Sequence, residues 1–522
     1  MKRAPRIGAY VLETLTTGVY VHPLDTVREL VQNAADSIRK AEEASLIKRG
    51  AGRIEIELGQ KSRSVVIRDN GIGIPIEEAG ERLIDVGMSD KDIEHDAGFR
   101  GIGRLAGIAF CDVLKFRTTA KGESKASILE FDCVGIRKAI APTNRRTLEM
   151  ADVLAKYVTE ATEQAKSGDH FLEVTLAGIN DSATEFLDIE DVEPYLQQVA
   201  PVDFDPQDFV FTSKIQSWVR KHKLELPTVS LVVTTPEVRR QVFKPYRNSY
   251  RTSNQRGGQV DVEIRDVDFF LDEKGAQPQF WIWWGITDLP GTVGDDRVAG
   301  FRFRKNNIAL GEPDRVADLF AEKKAPTNRR FNAWHVGEIH VLCPGAIPNA
   351  RRDGFENTGT WPRIRTRLLP FIADRTSDIQ RASSARNSPT VKLAKQADDV
   401  IGAVETSTTH GLASAQERDK LLSDVQETKT KIESRLKSHS GESDGRQLKP
   451  LVRKLEQAEK QLQDDKHFVA KKVRSSLDRK QRQVLQQVTE IIHSVLESQA
   501  CKKSRECEAA IRKAIMEEFG AS

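Results

Sequence analysis

Residues 29–36, Glu-Leu-Val-Gln-Asn-Ala-Ala-Asp, lie inside the apolar-periodic run 26–41, TVRELVQNAADSIRKA. On a helix, spacings of four and three bring Glu29, Asn33 and Asp36 (or Ser37) onto one face. Val27, Leu30, Val31, Ala34, Ala35 and Ile38 take most of the remaining surface. A carboxylate and a carboxamide on one stripe of a helix otherwise built for burial cost free energy unless something satisfies them. A metal ion and a phosphate chain would do so. Taken alone, the octapeptide reads more simply as the water-facing stripe of an amphipathic helix; two glycine-rich segments downstream overturn that reading.

Arg53 to Leu58 and Ser64 to Arg68 alternate, predicting paired strands across the polar turn Gly59-Gln60-Lys61. The second strand breaks at Asp69-Asn70-Gly71-Ile72-Gly73. An aspartate at a strand end, followed by two glycines one residue apart, projects a carboxylate into a pocket and lets backbone approach a flat ring. Such a carboxylate can accept a hydrogen bond from an exocyclic amine, as adenine offers. The fragment is also ordinary hairpin chemistry. Gly98-Phe99-Arg100-Gly101-Ile102-Gly103 then precedes the apolar run Leu105 to Phe110. Glycines ahead of a helix leave amides free to cradle phosphate oxygens, helped by the helix dipole. No Gly-Lys-Ser/Thr follows, so this is not a Walker loop. Gly101, Gly103 and Ala106 also fit a dinucleotide fingerprint, but that needs a strand immediately before it. The preceding residues, SDKDIEHDAGFR, are polar and charged.

Asp112 to Thr118, Ser127 to Cys133 and Phe171 to Leu176 read as further strands, giving residues 1–185 the signal of an α+β layer sandwich. A second α/β unit is expected over 186–375. Its strand candidates are Thr228 to Thr234, Gln259 to Val267, Gln279 to Ile286, Gly300 to Phe303 and Glu338 to Leu342. Trp281, Trp283 and Trp284 read as core and sheet surface, because no aromatic-basic interleaving accompanies them. Over 376–522 glycine and aromatics nearly vanish. Leu422, Val425, Ile432 and Leu436, then Leu451, Leu455, Ala458 and Leu462, then Val484, Val488, Ile491 and Val495 recur at spacings of three and four. They predict a helical hairpin or short coiled coil that serves dimerisation or partner binding.

At 522 residues the chain is long enough for two or three domains. Its 80 basic and 77 acidic residues leave a formal charge of +3, which gives no global argument for nucleic acid. Five scattered cysteines, without CxxC spacing, read as reduced thiols and not as a zinc site or disulfide framework. No segment has the pattern of a secretory leader, and none approaches the roughly 18 apolar residues of a membrane span. A soluble cytoplasmic protein without membrane partners is the expectation.

In the order E-x-x-x-N-x-x-D, D-x-G-x-G, G-x-x-G-x-G, the three segments resemble the GHKL ATPases: type II topoisomerase ATPase subunits, MutL mismatch-repair proteins, histidine kinases and the ninety-kilodalton heat-shock chaperones. The resemblance covers roughly residues 10 to 180 and implies the Bergerat fold, ATP and Mg²⁺. It implies that Glu29 is the general base, that Asn33 holds Mg²⁺, that Asp69 reads the adenine amine with Gly73 beside the ring, and that Gly71 is among the ATP-binding residues. Asp36 completes the helical motif. Gly98, Arg100, Gly101 and Gly103 fall in a phosphate-covering lid, and Ser89 and Lys91 match its Ser-x-Lys-type segment. The family often places a threonine on a later strand; here Ser167-Gly-Asp-His-Phe171 offers Asp169 or His170 instead.

Pro348 to Glu356 (PNARRDGFE) is similar to the catalytic loop of the heat-shock chaperone middle domain. That match makes Arg352 the γ-phosphate contact, with Glu356 where glutamine is usual. Lys305, in RFRKNN, is a rival that resembles the transducer lysine of gyrase and MutL. The implied protein is an ATP-driven homodimeric clamp acting on a protein client. The alternative is a MutL-, topoisomerase- or MORC-like clamp on nucleic acid, kept open by basic stretches at 239–251 and 471–482. A histidine kinase fits least, since too little chain precedes Glu29 for a phosphoacceptor hairpin.

Overall fold

The computed structural model describes residues 7–14, 22–87, 101–141, 148–253, 259–275, 277–323, 325–410, 415–438 and 442–463, and the single positions 484 and 488. The chain divides into two compact units, 1–383 and 384–522. Among the described residues, the first is built on two large sheets and the second is helical.

The first unit opens with α1 (Tyr10–Glu13), α2 (Leu24–Glu43), β1 (Arg53–Gly59), β2 (Ser64–Asp69) and α3 (Ile76–Ile84). A 3-10 segment, Gly103–Ala109, leads into β3 (Val113–Thr119), β4 (Lys125–Asp132), α4 (Cys133–Ile140), α5 (Met150–Tyr157), β5 (Val158–Gln164) and β6 (Phe171–Ala177). Then come α6 (Ile189–Val199), α7 (Thr212–Lys221), β7 (Ser230–Thr234) and β8 (Arg239–Val242). These strands form one mixed eight-stranded sheet in the order β5-β4-β3-β6-β2-β1-β7-β8. The α+β class read from the sequence is the class observed. α2 is buried along Val27, Leu30, Val31, Ala34 and Ile38, in one apolar core with Ile54, Ile56, Ile67, Leu114 and Leu176 of the sheet.

Three details differ from expectation. The strand expected near 228–234 forms, but it pairs in parallel with β1, Ile54 opposite Leu231, and so extends the N-terminal sheet beyond residue 185. The apolar run after Gly103 winds as 3-10 turns, with Leu105, Ala106, Ile108 and Ala109 buried. β5 was not anticipated, because as an edge strand most of its VTEATEQ sequence is exposed and carries no burial alternation.

After β9 (Ser249–Ser253) and β10 (Gln259–Glu263), which pair only with each other, come β11 (Asp266–Leu271), β12 (Phe280–Ile286), β13 (Gly300–Lys305), β14 (Ile308–Leu310), α8 (Asp314–Lys323) and β15 (Val336–Val341). They make a five-stranded sheet in the order β11-β12-β15-β13-β14. Trp281 and Trp283 are fully buried and Trp284 nearly so, so these rings are core. α9 (Thr360–Asn387) packs Ile364, Leu368, Phe371 and Ile372 into the core of this sheet.

The second unit holds α10 (Pro389–His410), α11 (Ala415–Ser438) and α12 (Glu442–Gln463). Val425 and Ile432 of α11 meet Leu448, Leu451, Leu455, Ala458 and Leu462 of α12, together with Ala397, Ile401 and Val404 of α10. The first two of the three apolar series are therefore buried inside one chain as a three-helix bundle, while Val484 of the third is exposed. Three amphipathic helices joined by short connections satisfy one another's apolar faces. Of the third series, Ile491 and Val495 lie outside the described residues.

Candidate functional site

A cavity of about 220 Å³ opens between α2, the turn after β2, the 3-10 segment, β6 and the loop 349–354. Glu29, Asn33 and Asp36 all line it, with Ser37 and Lys40 from the same helix. The helical spacing of the sequence thus delivers one polar stripe to one wall.

Asp69, the last residue of β2, is buried against a second wall. Its Oδ1 accepts from the Gly71 amide at 2.7 Å and from the Ser37 hydroxyl at 3.3 Å. Burial pushes its carboxyl up to about 7, against the pull of these donors, the Leu172 amide and Arg68. Gly73 lines the cavity with φ of 72°, and a Cβ there would lie 1.9 Å from the Thr119 carbonyl oxygen. Only glycine fits. Gly71 stands behind the wall: its carbonyl meets His170 Nδ1 at 2.7 Å.

Gly101 and Gly103 line the cavity on the side of Glu29. A Cβ on Gly103 would come within 2.5 Å of Glu29 Oε2, so glycine lets this turn close onto the carboxylate. Ser89, Lys91, Gly98 and Arg100 lie outside the described residues.

Arg352 lies far along the chain, yet it lines the same cavity. Its Nε is 2.7 Å from Glu29 Oε1, and both side chains are almost fully buried. Arg28 Nη2 stands 3.7 Å from the same oxygen. Arg352 has φ of 54°, a left-handed conformation that is strained for a side chain of this size. Its turn is correspondingly well braced. The Gly311 amide donates to the Arg352 carbonyl at 2.9 Å, and the Arg352 amide to the Asn349 carbonyl at 3.0 Å. Asn349 Nδ2 and Asp353 Oδ1 are 2.6 Å apart, and Arg315 holds Asp353 at 2.8 Å.

Lys305 is not among the lining residues; its ammonium donates to the Cys343 carbonyl at 2.5 Å. Glu356 is outside the lining too, its amide bonded to the Ile347 carbonyl at 2.8 Å. Neither Asp169 nor His170 takes the place of a strand threonine. The residue directly across from Asp69 is Leu172, which lines the cavity as an apolar wall. A threonine hydroxyl nearby comes from β3: Thr118 accepts from the Ile74 amide at 3.0 Å and donates to the Phe171 carbonyl at 2.8 Å.

Arg104 went unrecognised in the sequence. It lines the cavity, and its guanidinium, pushed down to about 10 by burial, donates to the Leu83 carbonyl at 3.1 Å and to the Asp85 carbonyl. Only its place directly after Gly103 could have drawn notice.

Residues 22–163 match the model of the histidine kinase-, DNA gyrase B-, and HSP90-like ATPase family. A chaperone protein HtpG of Frankia casuarinae is 36% identical over 145 residues, 24% of this chain and 22% of the relative. A chaperone protein HtpG of Mycolicibacterium vanbaalenii is 28% identical over 137 residues, 22% of this chain and 21% of the relative. The chain thus spans about a fifth of the length of the curated relatives it matches.

Proposed function

We propose that the protein binds ATP with Mg²⁺ in this cavity and hydrolyses it, a reading supported by the match of residues 22–163 to the histidine kinase-, DNA gyrase B-, and HSP90-like ATPase model. One observation carries the reading: Glu29, Asn33, Asp36, Asp69, Gly101, Gly103 and Arg352, scattered over more than half the chain, line a single cavity.

Asp69 accepts from the adenine amine, while Gly73 gives the ring room to lie against backbone. Gly101 and Gly103 turn their amides toward the phosphates. The oxygen donors of Asn33, Asp36 and Glu29 suit a hard divalent cation that takes one or two protein ligands and fills its shell with water and phosphate. Asn33 is the ligand proposed for Mg²⁺, which when bound supplies charge neutralisation at the phosphate oxygens. Glu29 takes a proton from the attacking water. Arg352 now holds that carboxylate, so a γ-phosphate entering beside it competes for the guanidinium. Transfer of Arg352 to the phosphate both frees the base and stabilises charge on the transferring group.

The relatives' names and the pairing of Arg239 and Arg240 within the chain favour a protein client over nucleic acid; the basic stretch 471–482 lies outside the described residues. Arg239 lies 3.6 Å from Glu55, and Arg240 lies 2.8 Å from both Glu190 and Glu193, so these cations are neutralised within the chain. Three parts, 1–185, 186–375 and 376–522, working as a homodimeric ATP-driven clamp in the cytoplasm, complete the proposal. Glu29→Ala should bind ATP and not turn it over, whereas Asp69→Asn should not bind. Rates measured with and without DNA, and the mass in solution with a non-hydrolysable analogue, test the client and the dimer. A DNA-stimulated rate with steep salt dependence would transfer the proposal to the nucleic-acid clamp.

A further inference from the structure

Three charged side chains share the first turns of α2. Arg28 Nη1 lies 2.9 Å from Asp25 Oδ1, and Arg28 Nη2 lies 3.7 Å from Glu29 Oε1. One guanidinium is thus divided between two carboxylates four residues apart on the helix, and the shorter contact goes to Asp25. Asp25 is itself fixed from outside α2. The Tyr195 hydroxyl of α6 donates to Asp25 Oδ1 at 2.7 Å, the same oxygen that Arg28 uses. Burial keeps the phenol of Tyr195 well above its ordinary range, with Arg28 opposing, so it stays a donor at neutral pH.

The direction of the effect follows from hydrogen-bond occupancy. A guanidinium bonded to a carboxylate occupies an oxygen that would otherwise accept the proton of the attacking water. Glu29 already carries Arg352 at 2.7 Å, and the proposed reaction moves that arginine away. Arg28 stays beside Glu29 throughout, because it is on the same helix. Whatever keeps it turned toward Asp25 therefore decides whether a Glu29 oxygen stays open to the attacking water.

We infer that Tyr195 is a positioning residue for the hydrolysis: by orienting Asp25 it draws Arg28 off Glu29 and leaves that carboxylate to the attacking water. The inference rests on the reading of Glu29 as general base. The helix that carries Tyr195 is also tied to the second sheet, since the Gln198 carbonyl accepts from Arg304 at 2.9 Å. A shift of the second sheet is thereby passed to the base through one phenol.

Tyr195→Phe keeps the ring and removes only the hydroxyl. Its kcat should fall about tenfold, part of what a positioned general base contributes, with the affinity for a non-hydrolysable ATP analogue unchanged within about twofold. Asp25→Asn, which weakens the hold on Arg28 without changing shape, should lower kcat at least as far, and serves if Tyr195→Phe does not fold. In an Arg28→Met background Tyr195→Phe should have no further effect, since nothing remains for it to position. An equal fall in that background, or affinity falling together with kcat, would show that Tyr195 merely packs α6 on α2 and would overturn the inference. Glu29→Ala separates the two levels. If it hydrolyses like the wild type, the general-base reading fails; if it is inactive while Tyr195→Phe is fully active, only the positioning role fails.

Discussion

Asp69 and Arg352 show how much of the site depends on single side chains held in costly states. The Asp69 carboxyl moves from 3.8 to about 7 on burial, so the folded protein holds a proton that the unfolded chain has released. The stability this contributes is full below about pH 4 and is lost as pH rises through about 7. Melting temperature of the ligand-free protein should therefore decline from pH 6 to 8, and Asp69→Asn should remove that part of the decline. An amine donating to the carboxylate favours its ionised form, so nucleotide should stabilise the wild type more at pH 8 than at pH 6. A flat difference between the two would show that Asp69 does not read the base. Arg352 poses a different problem, because its buried cation and its left-handed backbone carry free-energy costs that the contact with Glu29 and the loop's hydrogen bonds offset. Arg352→Ala should cut kcat by about 10²-fold, the range for removing one preorganised charge donor, with ADP affinity little changed. Parallel losses in ADP binding and turnover would instead mean a collapsed cavity.

Among the elements, α2 was legible because a helix repeats every 3.6 residues, so Glu29, Asn33 and Asp36 declare their common face in one dimension. The turn at Asp69 to Gly73 was legible for a similar reason, since chain direction and glycine position are local. Strand partnership is not local. Nothing in SLVVT says that β7 will pair with β1, and nothing in FLEVTLA says that Leu172 will face Asp69; both follow from register settled by the whole sheet. The C-terminal helices show the complementary limit. Spacings of three and four predict an apolar seam but not whether its partner lies in the same chain or a second copy. Here α10, α11 and α12 supply it to one another. Ile432→Ala, at a fully buried position, should cost roughly 2–4 kcal/mol in chemical denaturation of the helical signal and leave the mass in solution unchanged. A drop to half mass would mean that the seam holds two chains together.

At the scale of the first unit, what brings Arg352 to Glu29 is a buried ionic joint between the two sheets. Glu338 of β15 is fully enclosed and accepts from Lys244 Nζ at 2.7 Å, His340 Nε2 at 2.9 Å, Trp283 Nε1 at 3.1 Å, the Tyr246 hydroxyl at 3.1 Å and the Arg304 guanidinium. Burial alone would raise this carboxyl; Arg304, Lys244 and His340 hold it well below the ordinary carboxylate range. Two of these donors, Arg304 and Lys244, reach across to the N-terminal part together with Asn307, which accepts from Lys244. Arg304 bonds the Gln198 carbonyl at 2.9 Å, Asn307 bonds the Pro227 carbonyl just ahead of β7 at 2.9 Å, and Lys244 follows β8 directly. From this joint β13 and β14 run to Gly311, whose amide fixes the Arg352 carbonyl. None of this was visible in the sequence, where Arg304 and Lys244 look like surface charges and Asn307 like a loop amide. Glu338→Gln keeps the shape but leaves two buried cations facing a neutral amide, a loss of about 3–5 kcal/mol by the usual cost of breaking a buried ion pair. Arg352 apart, the contacts proposed for adenine, metal and phosphates come from α2, the Asp69 turn and the Gly101–Gly103 turn, all before residue 177. Nucleotide binding should therefore persist below the lowered melting temperature, while hydrolysis falls as Arg352 loses its fixed approach. A variant that loses stability yet hydrolyses at the wild-type rate would show that the joint serves folding alone and that Arg352 reaches the site without it.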